Sequence, residues 1–195
     1  MEKVSLVKGD RVDLTKTNPG MKVIAIGLGW DTKSSSGADF DLDAFALALT
    51  DGKLKDAPGH ILYFRSPKVG GKLSIMNGAL VHSGDNLTGA GAGDDETILI
   101  ETGKIPAGVD QILICINIYE ASSRRQNFGM VENAFCRIYD WESKAEIARY
   151  DLTEDASGKT ALVFGKVYLK DGEWKFQAIG EGKDGDINDV GRLYI

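Results

Sequence analysis

Apolar residues recur along the chain in short runs, some alternating with polar residues and some unbroken, with Gly, Pro, Asn and Asp gathered between them. Alternation puts successive side chains on opposite faces of a strand, whereas an unbroken apolar run of strand length suits a strand covered on both faces. Residues 4–7 and 11–14 alternate around Gly9 and predict two short strands or the arms of a hairpin. Residues 22–29 are too apolar for a surface strand and lead into Trp30 and Asp31, which sets a carboxylate at a strand exit. Residues 39–49 alternate strictly, so that Asp39, Asp41 and Asp43 share a face with Phe45, Leu47 and Leu49, opposite Ala44, Ala46 and Ala48. The bulk of Phe and Leu predicts that their face turns to the core, leaving the last acids at its rim. An unpaired charge there costs on the order of several kcal/mol, and a cation would remove that cost.

Further strands are expected at 61–64, 79–82, 97–101, 111–119, 134–140, 145–152, 160–169 and 173–179, with tight turns at Asp51-Gly52 and Asp171-Gly172. Residues 67–71 read as a loop, 122–129 as an irregular connection, and the Gly- and Asp-rich tail from Gly180 as ending in a short turn. Trp174 alternates into the core. No amphipathic helix of ordinary length appears. The pattern predicts an all-β chain, a two-sheet antiparallel β-sandwich with short helical turns and acidic loops at one end, in a single domain over residues 1–195.

The most informative stretch lies between two of these strands. Ser83-Gly-Asp-Asn-Leu-Thr-Gly-Ala-Gly-Ala-Gly-Asp-Asp-Glu96 carries Asp85, Asn86, Thr88, Asp94, Asp95 and Glu96 and no cation, and its glycines let the backbone turn tightly. A phosphate cradle is rejected unless a metal bridges it, because three acids follow the glycines where a Lys and a helix would be needed. Calcium takes six to eight oxygens from flexible loops, and the stretch suits one half of such a site. A plain acidic surface turn is the competing reading. An EF-hand is excluded, since Ala44 and Thr50 stand where its Gly and bidentate Glu are required. Asn117, in the middle of an apolar strand, needs a partner, and either a cation or a neighbouring loop would serve.

Composition narrows the function. The net charge is −6 and the bases are scattered, so the footprint of a nucleic-acid binder is missing. No run approaches a membrane span or a signal peptide, which points to the cytoplasm. Cys115 and Cys136 lie far apart in apolar strands and read as reduced, buried thiols. His60 and His82 are framed neither for transition-metal binding nor for a hydrolase triad, which argues against catalysis.

Gly29-Trp-Asp31, Asp41-Leu-Asp43, the whole acidic loop, Asn117-Ile-Tyr-Glu-Ala121, Val131-Glu-Asn-Ala134 and Glu173-Trp-Lys-Phe-Gln-Ala-Ile-Gly180 together resemble the tellurite-resistance TerD family over nearly the whole chain. The resemblance implies a β-sandwich that binds two calcium ions within a bacterial chemical-stress and tellurite resistance system. Carried over by position, Asp85, Asn86, Thr88, Asp94, Asp95 and Glu96 would form one wall of the metal site, and Asp31, Asp41, Asp43, Asn117 and Glu120 the other. Partners would be other stress-resistance proteins, a membrane-bound complex among them, with no nucleic acid and no direct membrane insertion. The alternative is a metal-dependent enzyme or a sensor of a cyclic nucleotide or other phosphate ligand.

Overall fold

The structure is a computed structural model that describes residues 3–32, 41–56, 59–84, 93–152 and 156–195. One sheet has eight strands, in the spatial order β1 (Val4–Leu6), β12 (Glu146–Asp151), β11 (Val131–Asp140), β3 (Val23–Thr32), β9 (Glu96–Glu101), β8 (Leu80–His82), β7 (Lys72–Ile75) and β6 (Lys68–Val69). The other has six: β2 (Arg11–Asp13), β14 (Glu173–Lys183), β13 (Ala161–Lys170), β10 (Gln111–Ile118), β4 (Leu42–Leu49) and β5 (Ile61–Leu62). Pairing is antiparallel apart from β1 against β12. Two short helices, α1 (Ala121–Arg124) and α2 (Ile187–Arg192), complete the all-β sandwich that the alternation predicts.

The main core lies between the sheets. Ile24, Ile26, Leu28 and Trp30 of β3 and Ile98 and Ile100 of β9 join Ala44, Ala46 and Ala48 of β4 and Ile112, Ile114 and Ile116 of β10. This corrects the expected orientation of β4. Its alanine face looks into the sandwich, where small side chains leave room for the isoleucines of the opposing sheet. Phe45, Leu47 and Leu49 point to the outside of the second sheet and pack with Leu113, Cys115 and Val163 beneath Leu54, Ile187 and Val190. The strand is buried from Leu42 to Leu49 because α2 and its flanks cover the face that the sandwich leaves open.

Three local expectations also change. The first two strands form no hairpin, since β1 joins β12 and β2 joins β14 in the opposite sheet. Residues 67–71 contribute to a small hairpin, in which β6 and β7 pair around Gly70 and Gly71 at φ of 59° and 83°. The tail continues as strand to Lys183 and then forms α2, started by a capping box between Asp186 and Asp189. Both predicted tight turns form as read, with Asp51-Gly52 and Asp171-Gly172 in left-handed conformation. Trp174 is core, and Cys115 and Cys136 are free and buried in separate clusters, where burial pushes both thiols up.

Candidate functional site

The strand ends meet at one end of the sandwich. β9 begins where β3 ends: Glu96 stands opposite Leu28, and the Asp95 N–H donates to the Leu28 carbonyl at 2.8 Å. In the other sheet β4 begins beside the end of β10, with Asp43 opposite Asn117. The Ala44 N–H then crosses between the layers to Glu96 Oε2 at 2.6 Å. Asp31, Asp41, Asp43, Asp94, Asp95, Glu96 and Asn117 thereby come to one end, but their side chains divide among three faces.

On the outer face of the larger sheet, Asp94 lies across β3 and receives two bonds from Arg137, from Nε at 2.5 Å and Nη2 at 2.8 Å. Gly27 makes this possible. It stands opposite Arg137, and a Cβ there would run into the Asp94 carboxylate. Gly29 is covered in the same way by the ring of Phe135. Asp94 pushes the Arg137 guanidinium up through that hydrogen bond, and Tyr139 supports its plane at 4.7 Å. Asp95 turns back to accept the Trp30 N–H at 2.9 Å. Burial raises its pKa, the Trp30 bond opposes that, and the charges of Asp31, Glu96 and Asp94 raise it further. Asp31 is exposed at the end of β3 and accepts from Asn133 Nδ2 at 2.8 Å.

Between the sheets, Glu96 and His82 are wholly buried as side chains, 3.4 Å apart. His82 Nδ1 accepts from the Gly84 N–H at 3.1 Å, so the ring hydrogen of the neutral form sits on Nε2, 3.0 Å from the Ala44 carbonyl. Histidine and glutamate together tie the entry of β9 to β4.

On the outer face of the smaller sheet, Asp43 and Asn117 are each 3% exposed. Asn117 Oδ1 is buried with no hydrogen-bond partner among the described residues. Both line a cleft of about 640 Å³ whose walls come from residues 61–65, from the turn after β10 and from the start of α2. Phe64 packs edge-on against Tyr63 and Tyr119 at centroid distances of 5.5 and 6.0 Å. Glu120 is exposed, left-handed at φ 51°, with its carboxylate 3.8 Å from Arg124 Nε. Asp41, just before β4, accepts the Tyr119 N–H through its main-chain carbonyl at 2.8 Å. Asp85, Asn86 and Thr88 lie outside the described residues. Among the described residues no three His, Cys, Asp or Glu side chains gather closely enough to hold a metal ion.

Reading the sequence alone missed Arg137, His82 and the contribution of 185–189 to the cleft. The two glycines inside an apolar strand, Gly27 and Gly29, were the available signal that another group approaches the backbone there.

A sequence model described as the TerD domain matches residues 2–194. General stress protein 16U of Bacillus subtilis is 48% identical over 192 residues, covering 98% of this chain and 96% of that protein. Tellurium resistance protein TerD of Serratia marcescens is 45% identical over 192 residues, with the same coverages of 98% and 96%. The crystal structure of a homologue of telluride resistance protein TerD from Streptomyces coelicolor aligns with a TM-score of 0.67 at 20% identity, covering 88% of this chain and 96% of that one, and so shares the fold.

Proposed function

We propose, from the premise that this chain belongs to the TerD domain family, that it is a calcium-binding interaction module of a bacterial tellurite and chemical stress resistance system. The observation that carries the metal reading is Asn117. A buried carbonyl oxygen left without a donor costs about 1–3 kcal/mol, and here it belongs to the residue paired with Asp43 on the neighbouring strand. Oxygen donors, one of them anionic, in a buried position suit a hard cation, and calcium accepts irregular oxygen sets more readily than magnesium.

In this reading Asp43 and Asn117 hold an ion, with Asp41, Glu120 and the loop residues Asp85, Asn86 and Thr88 contributing oxygens. Asp31 and Asp95 serve the second ion on the side of β3. Asp94 and Glu96, engaged by Arg137 and by Ala44 and His82, act as supports that fix the two ends of β9's entry. Calcium would supply positive charge that lets the acids stay together. The protein's own residues hold the loops in one shape, on which other stress-resistance proteins dock in the cytoplasm. The names of its relatives speak of resistance and stress response and state no enzymatic activity, and the module is assigned no catalysis. No helix among the described residues is long and apolar enough to cross a membrane.

Calorimetric titration of the metal-free chain with CaCl₂ tests the reading. Saturable binding and a melting temperature that climbs with calcium concentration are expected, by mass action. Asp43→Asn is expected to weaken binding by about tenfold or more, since ligand charge sets affinity in such sites. Calcium binding that ignores this substitution rules the site out.

A further inference from the structure

The cleft over Asp43 and Asn117 is far larger than an ion requires. At about 640 Å³ it falls inside the range of small-ligand pockets, roughly 300–1,000 Å³. One wall is the aromatic group of Tyr63, Phe64 and Tyr119. Four carboxylates also line it, Asp43, Glu120, Asp186 and Asp189. Two of these face a nearby guanidinium, Glu120 that of Arg124 and Asp189 that of Arg192. Arg65 differs from both cations. It lines the same cleft, is exposed, and among the described residues has no ion pair. Its guanidinium is 5.0 Å from the Phe64 ring centroid, and a guanidinium stacked in this way keeps an edge free for two parallel bonds to a carboxylate.

We propose that this cleft binds a carboxylate-bearing ligand with an apolar or aromatic body, its carboxylate gripped by Arg65 and its body laid against Tyr63, Phe64 and Tyr119. The proposal rests on the calcium reading, because without an ion the acids on the floor repel such a ligand. Charge selects the class. The four lining carboxylates, together with Asp41 and Asp85 that this reading assigns to the ion, stand against the guanidinium groups of Arg65, Arg124 and Arg192 and leave three negative charges. A divalent ion cuts that to one negative charge, which repels a carboxylate monoanion less than a phosphate dianion, and Arg65 supplies the local attraction. The orphaned oxygen of Asn117 and the ion-free edge of Arg65 thus belong to one site, with the cation below and its anionic ligand above. The carboxylate can come from a small organic acid or from the C-terminus of a polypeptide.

Titration calorimetry of the full chain at saturating calcium separates these cases, with N-acetylphenylalanine, its amide, and a hexapeptide ending in Phe with a free or amidated terminus as probes. The free acids are expected to bind at least tenfold more tightly than the amides, and to lose that binding when EGTA removes calcium. Arg65→Ala is expected to lose at least tenfold in acid affinity while its calcium isotherm stays unchanged, and Arg65→Lys to recover part of the loss. A hexapeptide acid that binds tenfold tighter than the small acid identifies a polypeptide terminus as the source, and equal affinity identifies a small acid. Phenyl phosphate binding more tightly than the carboxylates, or Arg65→Ala binding them like the parent, overturns the proposal. A chain that takes calcium and none of the acids sinks this inference alone, whereas a chain that takes no calcium sinks the earlier reading as well.

Discussion

At Gly27 the absence of a methyl group decides how the acidic loop is attached. The Asp94 carboxylate occupies the space that a side chain would fill, with Arg137 closing over it from the neighbouring strand. Gly27→Ala is expected to cost about 1–3 kcal/mol, the usual penalty of overpacking, read as a lower urea midpoint with an unchanged slope. Half of this arrangement was legible in the sequence. Two glycines in a run of isoleucine and leucine announce that something comes close to the backbone. Nothing announced Arg137, because an arginine on an alternating strand looks the same whether its charge is solvated or spent on a carboxylate 43 positions away. Asn117 was legible for the opposite reason: an amide among apolar neighbours has no ordinary place to go, whatever the fold.

Elements were read well where a strand has one apolar face and poorly where it has two. β14 alternates cleanly, and the alternation that puts Trp174 in the core holds for Phe176 and Ala178 as well. β4 is covered on both sides, so side-chain size became the only guide, and it misled: the larger residues went under α2, not between the sheets. α2 spans six residues, too few to display a helical period, which is why the tail read as little more than a turn. The helix starts from Asp186, which accepts the N–H groups of Asn188 and Asp189 at 2.8 and 3.1 Å. Asp186→Ala is expected to destabilise the protein by about 1 kcal/mol. In hydrogen exchange the loss of protection should centre on Ile187–Arg192 and on β4 beneath it, and leave β3 and β9 as they were.

For the whole molecule, the sandwich followed from the recurrence of short strands and turn signals, and so did the gathering of acids at one end. The division of those acids among three faces did not, because alternation fixes a residue's side of its own strand and says nothing of which sheet the strand enters. Gathered carboxylates repel each other, and salt screens that repulsion. Raising NaCl from about 0.01 M to about 0.5 M is therefore expected to raise the melting temperature of the metal-free chain and, under the calcium proposal, to do so by clearly less when calcium is present. An equal response with and without calcium would count against the proposal that calcium relieves this repulsion. The sheets also end in a uniform way: their four outermost strands, β1, β6, β2 and β5, are three, two, three and two residues long. The middle of longer strands such as β12 and β14 is thereby covered, Ala148 to Tyr150 by β1 and Lys175 to Gln177 by β2, which shortens the free hydrogen-bonding row open to another copy. The chain is in this way guarded against growing into fibrils, by margins too narrow for a neighbour to grasp.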